Sequence, residues 1–263
     1  MAQTAVSIDA NTFQFFARNP RGSKARPLEM EDVAAFISFC GSNDLSPLLV
    51  HAPYTLNPCA ERQEVVEFAR IAMQDDLARL GKMGVSLYNL HPGSHVGQGK
   101  EIGIEKTAAM LNELLDGSFA GTVLLETMSG QGSEIGGTFE EIRAIIDLVE
   151  KKESVGVCLD TCHVFAAGYD IASDPDAVLT EFDRVIGLNR LCYVHLNDSM
   201  FGCGEHRDRH AAIGAGRIGL EGVQRIVSHP VLRTLPFCLE TPHESMQEYA
   251  DEIMLVRELT DAG

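Results

Sequence analysis

Short apolar runs that end on an acid or an imidazole recur along this chain. The clearest is Gly156-Val157-Cys158-Leu159-Asp160-Thr161-Cys162-His163. Its first half has the small, apolar character of a strand buried on both faces. The run stops on Asp160, and His163 follows three residues later, one turn on where the chain coils. A carboxylate at the tip of a buried strand is costly unless something neutralises it. Residues 12–16, 48–51, 85–90, 122–126, 191–195 and 236–239 read as six further strands, and His51, His91, Glu126, His195 and Glu240 stand at the ends of five of them.

Between the strands, the spacing of apolar positions predicts helices over residues 28–39, 61–82, 104–115, 139–150, 175–186, 220–228 and 245–259. Gly41 and Gly84 read as helix stops. Thr138-Phe139-Glu140-Glu141 reads as a capping box, and Asp174-Pro175 as an N-cap followed by proline at the first helical position. Residues 1–10 read as the tail of a helix or a loop. Strand and helix alternating seven times imply a parallel sheet with right-handed crossovers. An open sheet gathers its ligand at one switch point, whereas polar tips on six of seven strands suit a single barrel mouth. The expected fold is therefore α/β, a TIM (β/α)8-type barrel with seven of its strands visible.

Composition narrows the class. The chain has 263 residues, 45% of them apolar, enough for one barrel domain over residues 1–263. No apolar stretch approaches the roughly 20 residues of a spanning helix. The first residues lack a basic region and an apolar segment of the secretory kind. Seven scattered cysteines, with no Cys-x-x-Cys pair, fit free thiols in a reducing cytoplasm rather than a thiolate zinc site. The formal charge of −17 argues against general nucleic-acid binding, although bound cations reverse the field around acids that ligate them. The one basic patch is the turn-rich loop 18–27, which reads as a solvated loop or a phosphate-gripping one. The glycine-rich loop 129–137 carries weaker evidence of the same kind. The loop 200–219 is long, polar and glycine-rich, and loops of that length in compact domains are usually functional.

The strand tips, with His163 and the Asp208-Arg209-His210 segment, give five histidines and four carboxylates: His51, His91, His163, His195, His210, Glu126, Asp160, Asp208 and Glu240. A lone histidine is more often hydrogen-bonded core than ligand. Nine such residues at one rim are not readily explained that way. Imidazole and carboxylate without thiolate suit Zn, Mn or Fe rather than Mg or Ca, and nine donors suffice for two or three ions. Clustered divalent metals recur in enzymes that cut phosphodiesters.

The segments Asn89-Leu90-His91-Pro92-Gly93-Ser94, Leu125-Glu126-Thr127, Cys158-Leu159-Asp160-Thr161-Cys162-His163, His195-Leu196-Asn197-Asp198-Ser199, Asp208-Arg209-His210 and Leu239-Glu240-Thr241 resemble the signatures of the endonuclease IV family. These are trinuclear-zinc endonucleases acting at abasic sites in DNA, and the similarity runs from about residue 11 to the last helix. The resemblance implies three Zn2+ per chain. His51, His91 and Glu126 would hold one. Glu126 would bridge to a second, completed by Asp160, His195 and Glu240. His163, Asp208 and His210 would hold the third. Glu126 would be the catalytic bridge. The substrate would be duplex DNA containing abasic sites, cut 5′ to the lesion to leave a 3′-hydroxyl and a 5′-deoxyribose phosphate, in base excision repair. Arg21 and Tyr54 would contact the bent DNA. The implied protein is a cytoplasmic monomer with no membrane association.

The chain departs from the family in three places. The family's first strand, with its Gly-x-His segment, does not precede the strand at 12–16. A barrel without it would have two unpaired edges, so the expectation is a true start lying upstream or, failing that, a truncated and unstable relative. Met200 stands where lysine is usual after Asn-Asp-Ser. Glu205 and His206 replace a small residue and a basic one. Two other readings compete. A sugar isomerase or epimerase of the xylose-isomerase-like barrels would use Glu126, Asp160, His195 and Glu240 around one or two metals and leave the remaining donors without a task. A degenerate barrel would bind metal or a partner without turnover.

Overall fold

In the computed structural model, which describes residues 1–20 and 25–261, helix α1 (Ala2–Ser7) leads into strand β1 (Gln14–Phe16). There follow α2 (Met30–Ser42), β2 (Leu49–His51), α3 (Gln63–Met83), β3 (Leu87–Leu90), α4 (Lys100–Leu114), β4 (Thr122–Glu126), α5 (Phe139–Leu148) and β5 (Val155–Asp160). The chain continues through α6 (Thr161–Ala167), α7 (Pro175–Val185) and β6 (Leu191–His195). A two-strand hairpin of β7 (Asp198–Ser199) and β8 (His210–Ala211) comes next, then α8 (Gly219–Ser228), β9 (Phe237–Cys238) and α9 (Met246–Asp261). Among the described residues, no helix is long and apolar enough to cross a membrane.

Seven strands pair in parallel in the order β1-β2-β3-β4-β5-β6-β9, with helices packed outside. The register explains the polar tips. Side chains two residues apart on a strand share a face. Leu49, Leu124, Cys158 and Tyr193 are fully buried and pack together, with Leu87, Cys192 and Cys238 against them. Five of these stand two residues before His51, Glu126, Asp160, His195 and Glu240. One apolar layer therefore plugs the barrel, and the next layer up is polar. Gly156 is needed in that wall: a Cβ there would lie 2.6 Å from Cys192 Sγ and 2.8 Å from Leu124 Cδ2.

The barrel is nearly closed. Among the described residues, β1 and β9 have no strand on their outer edges. A cavity of about 680 Å³ runs along this seam, lined by Ala5, Phe13, Phe237, Leu239, Ile253 and Val256 among others. The seven-strand count and the two unpaired edges match the sequence reading. Behind β1, the buried Arg18 binds Asp76 on α3 through Nε at 2.8 Å and Asp75 through Nη2 at 2.8 Å, while Tyr88 Oη donates to Asp76 at 3.0 Å. Arg18 is thus an internal anchor rather than part of an exposed phosphate-gripping patch.

Most helix signals hold. Gly84 ends α3 in the left-handed region at φ 68°. Thr138 accepts from the Glu141 N–H, and Asp174 from the Ala177 N–H. Glu141 reaches back to the N–H groups of Gly136 and Gly137, two residues and one residue beyond the N-cap N–H of a simple capping box. Gly41 does not end α2. The helix runs on to Ser42, and the Asn43 N–H closes it on the Cys40 carbonyl. Helix α4 begins at Lys100, four residues earlier than the pattern predicts. All seven cysteines are free thiols, four of them buried.

Candidate metal centre

The nine predicted donors converge at the mouth of the barrel. Glu126, at the end of β4, is fully buried and stands at the centre. Its Oε2 lies 3.1 Å from His51 Nε2 and 3.5 Å from His91 Nε2. Its Oε1 lies 3.4 Å from His195 Nδ1 and 3.2 Å from His163 Nδ1. His195 Nδ1 is also 3.2 Å from Glu240 Oε2 and 3.9 Å from Asp160 Oδ2. On the far side, Asp208 Oδ1 is 3.3 Å from His163 Nε2 and 3.6 Å from His210 Nε2. His210 Nε2 is 3.6 Å from Asp160 Oδ2.

Grouped by the spacing of their ligand atoms, these residues form sets that could hold metal ions. His51, His91 and Glu126 make one; Glu126, Asp160, His195 and Glu240 make another. The third region is divided differently from the expected His163, Asp208 and His210. Asp160 joins His163 and His210 in one set, and Cys162 joins Asp208 and His210 in another. Cys162 is a poor candidate, because burial pushes its thiol up to about 12 and the thiol donates to the Arg209 carbonyl.

The outward nitrogens of four histidines fix how the inward ones behave. His51 Nδ1 faces the Ala52 carbonyl at 2.5 Å, His163 Nδ1 the Thr127 carbonyl at 2.9 Å, and His210 Nδ1 the Glu240 carbonyl at 3.2 Å. His195 Nε2 faces Gln14 Oε1 at 2.7 Å. Each acceptor calls for a proton on that nitrogen, which leaves a lone pair on the other. His163 Nε2, His195 Nδ1, His210 Nε2 and Glu126 Oε1 are buried and have no hydrogen-bond partner. Buried polar atoms are nearly always satisfied. Four orphans converging in one cluster fit divalent cations.

The electrostatics agree. Burial works against a charged His163, but Asp160, Asp208 and Glu126 overcome it and hold its pKa well above the ordinary value. Burial likewise opposes charge on His195, and Cys158, Glu240 and Glu126 outweigh it. Burial would raise Glu126, yet His195, His91 and His163 hold it well below the usual carboxylate range. Asp208 falls to about 2, burial being outweighed by His163, His210 and His91. The carboxylates therefore demand positive charge at the imidazoles' positions, which protons or metal ions can supply.

Several supporting residues have no chemistry of their own to announce them. Asn89 Nδ2 donates to Glu126 Oε2 at 2.5 Å, and Asn197 Nδ2 to Asp160 Oδ2 at 2.7 Å. Asn197 Oδ1 accepts from the Glu240 N–H. Asp160 also caps α6, accepting from the His163 N–H at 2.8 Å. Buried Asp198 accepts from the N–H groups of Ser199, Gly214, Gly216, Ile218 and Gly219, which ties down the chain after β8. The glycine-rich loop is a buttress. Gln131 Oε1 accepts from the Asp208 N–H, and His206 Nδ1 lies 3.0 Å from the Ser129 carbonyl. Met200 and Tyr54 are exposed. Arg21 lies outside the described residues.

A profile of the xylose isomerase-like TIM barrel family matches residues 2–259. A protein of Alkaliphilus oremlandii named probable endonuclease 4 is 52% identical over 258 residues, covering 98% of this chain and 92% of the relative. The chain belongs to the endonuclease IV family. The crystal structure of endonuclease IV from Thermus thermophilus superposes with a TM-score of 0.89 at 35% identity, over 100% of this chain and 93% of the other. A D-tagatose 3-epimerase-like protein shares the fold at a TM-score of 0.70 and 17% identity, over 96% of this chain and 90% of that one. The protein is therefore an endonuclease IV-type hydrolase on a barrel that epimerases also use.

Proposed function

We propose that this endonuclease IV homologue is a zinc-dependent deoxyribonuclease that hydrolyses the phosphodiester 5′ to an abasic site in duplex DNA. The products are a 3′-hydroxyl and a 5′-deoxyribose phosphate. The observation that carries the reading is the set of buried, unpartnered imidazole nitrogens facing Glu126, Asp160 and Asp208. His51, His91 and Glu126 would hold one ion; Glu126, Asp160, His195 and Glu240 would hold a second; His163, Asp208 and His210 would hold the third. When bound, zinc supplies Lewis acidity, lowering the pKa of water and offsetting charge on the phosphate. Asn89 and Asn197 orient the carboxylates of Glu126 and Asp160 toward that task. The four site carboxylates are among the 38 acids that set the net charge, so cations held there reverse the field at the mouth, where DNA arrives. Tyr54, exposed just after β2, and Arg21 contact the DNA. Residues 1–263 act as one catalytic unit in the cytoplasm. The extra donors His163, Asp208 and His210 favour a nuclease over an epimerase.

The test is incision of a duplex carrying one tetrahydrofuran abasic analogue, with the product ends mapped and metal measured on the same preparation. Cleavage 5′ to the lesion with about three zinc ions per chain is expected. Folded, zinc-loaded protein that leaves the duplex intact, or a content of one ion with sugar epimerisation, would sink the reading.

A further inference from the structure

Gln14 lies on β1, across the open seam from β9, and its side chain spans the gap. Its Nε2 donates to Glu240 Oε1 at 2.6 Å, and its Oε1 lies 2.7 Å from His195 Nε2. The amide can sit only one way. A carboxylate accepts and does not donate, so the NH2 must face Glu240 and the carbonyl must face His195. His195 Nε2 must then carry its proton, and Nδ1 becomes the lone pair. That Nδ1 is the buried atom with no hydrogen-bond partner, 3.2 Å from Glu240 Oε2 and 3.4 Å from Glu126 Oε1. Among the described residues β1 and β9 do not pair, so no backbone ladder does this work.

We propose that Gln14 is a positioning residue for the second ion. One amide fixes the tautomer of His195 and the rotamer of Glu240 together, and it joins the two edges of the barrel at their catalytic end. Groups that orient a ligand in this way are worth about 10- to 100-fold in metal affinity. The inference rests on the metal-centre reading above.

Two variants separate the two jobs. Gln14→Leu removes both contacts. Gln14→Glu keeps an acceptor for His195 Nε2–H but sets a carboxylate against Glu240. Competition between zinc and a chromogenic chelator, on the full chain, should show one equivalent weakened about 10- to 100-fold in both variants, with the others unchanged. Nitrogen-15 shifts of the zinc-loaded protein should show His195 protonated at Nε2 in the wild type and in Gln14→Glu. In Gln14→Leu that resonance pattern should broaden or divide. Circular dichroism of the same samples verifies the fold. If both variants hold every zinc as tightly as the wild type, the role assigned to Gln14 is wrong while the metal centre stands. If the wild type itself binds no zinc, the metal centre falls, and this inference falls with it.

Discussion

On one flank of the sheet, β3, β4, β5 and β6 pair through four registered residues at each junction. On the other, β6 and β9 pair through two, and among the described residues β9 and β1 share no ladder. The donors divide along the same line. Glu126, Asp160 and His195 stand on the closed flank, where backbone pairing and the apolar layer beneath fix them. Glu240 stands at the seam, where side chains do the fixing: Asn197 accepts from its N–H, and Gln14 holds its carboxylate. Among the described residues, polar side chains thus hold the site where strand pairing is thinnest.

The largest effect should come from the closed flank. Glu126→Gln removes the carboxylate that, alone among the described residues, reaches His51, His91, His163 and His195 together. Single-turnover incision should fall by about 10³-fold or more, as for loss of a preorganised charge at a reacting centre. Retention of full rate would show that the donors do not act as one cluster. On the seam side, Arg18 ties the chain after β1 to α3. Burial raises the Asp76 carboxyl, and Arg18 pulls it back. Arg18→Met leaves that acid buried with Tyr88 alone, which should cost about 3–5 kcal/mol in urea unfolding. The double variant Arg18→Met, Asp76→Leu should recover most of the loss, because a buried pair replaced by apolar groups is often neutral. If the single variant unfolds like the wild type, β1 is held by something else.

Hydrogen exchange measures the comparison directly. Regions with few backbone bonds open at lower free energy. The Cys238 amide should therefore exchange faster than those of Leu124 and Leu125 by roughly an order of magnitude or more. Equal protection would mean that the seam is as firm as the ladder.

Much of this was legible in the chain. Apolar runs tipped by donors marked six of the seven strands of the main sheet, and the caps at Thr138 and Asp174 were readable because their partners lie within three residues. What failed to show was whatever depends on distant partners or very short elements. Gln14 sits in an aromatic run and looks like any strand residue; its partners lie 181 and 226 positions away. Arg18 looked like one of a basic cluster, since Asp76 is 58 residues off. The β7–β8 hairpin pairs two residues on each strand, too few to set up a period. Gly41 misled because glycine can sit inside a helix; a Cβ there would meet nothing within 4 Å, so no contact forces an end.

The metal-free protein should show how the cluster's charges bear on stability. His163 and His195 have folded pKa values raised above the ordinary 6.5, so their contribution is full below that pH and is lost as pH rises through the raised values. Asp208 is depressed from 3.8 to about 2, so its contribution is present above 3.8 and is lost as pH falls toward 2. Thermal melts in chelator should therefore peak on the acid side of neutrality and decline toward alkaline pH. Zinc should remove the alkaline decline, because the ions replace the protons. A chelated melt that keeps rising above pH 7 would contradict this account.

The smallest effect expected belongs to a closed-flank helix cap and serves as the control for the rest. Thr138 Oγ1 accepts from the Glu141 N–H at 3.2 Å, while the Glu141 carboxylate is separately engaged with Gly136, Gly137 and Lys100. Thr138→Ala removes one capping bond and leaves the others, so it should cost about 1 kcal/mol. The loss should remain local. Zinc content should not change, and exchange at Cys238 should match the wild type, since α5 lies on the closed flank and its cap touches no strand of the seam. If this variant loosened the seam as Arg18→Met is expected to do, the two flanks would form one cooperative unit, and the contrast in strand pairing would have no energetic meaning.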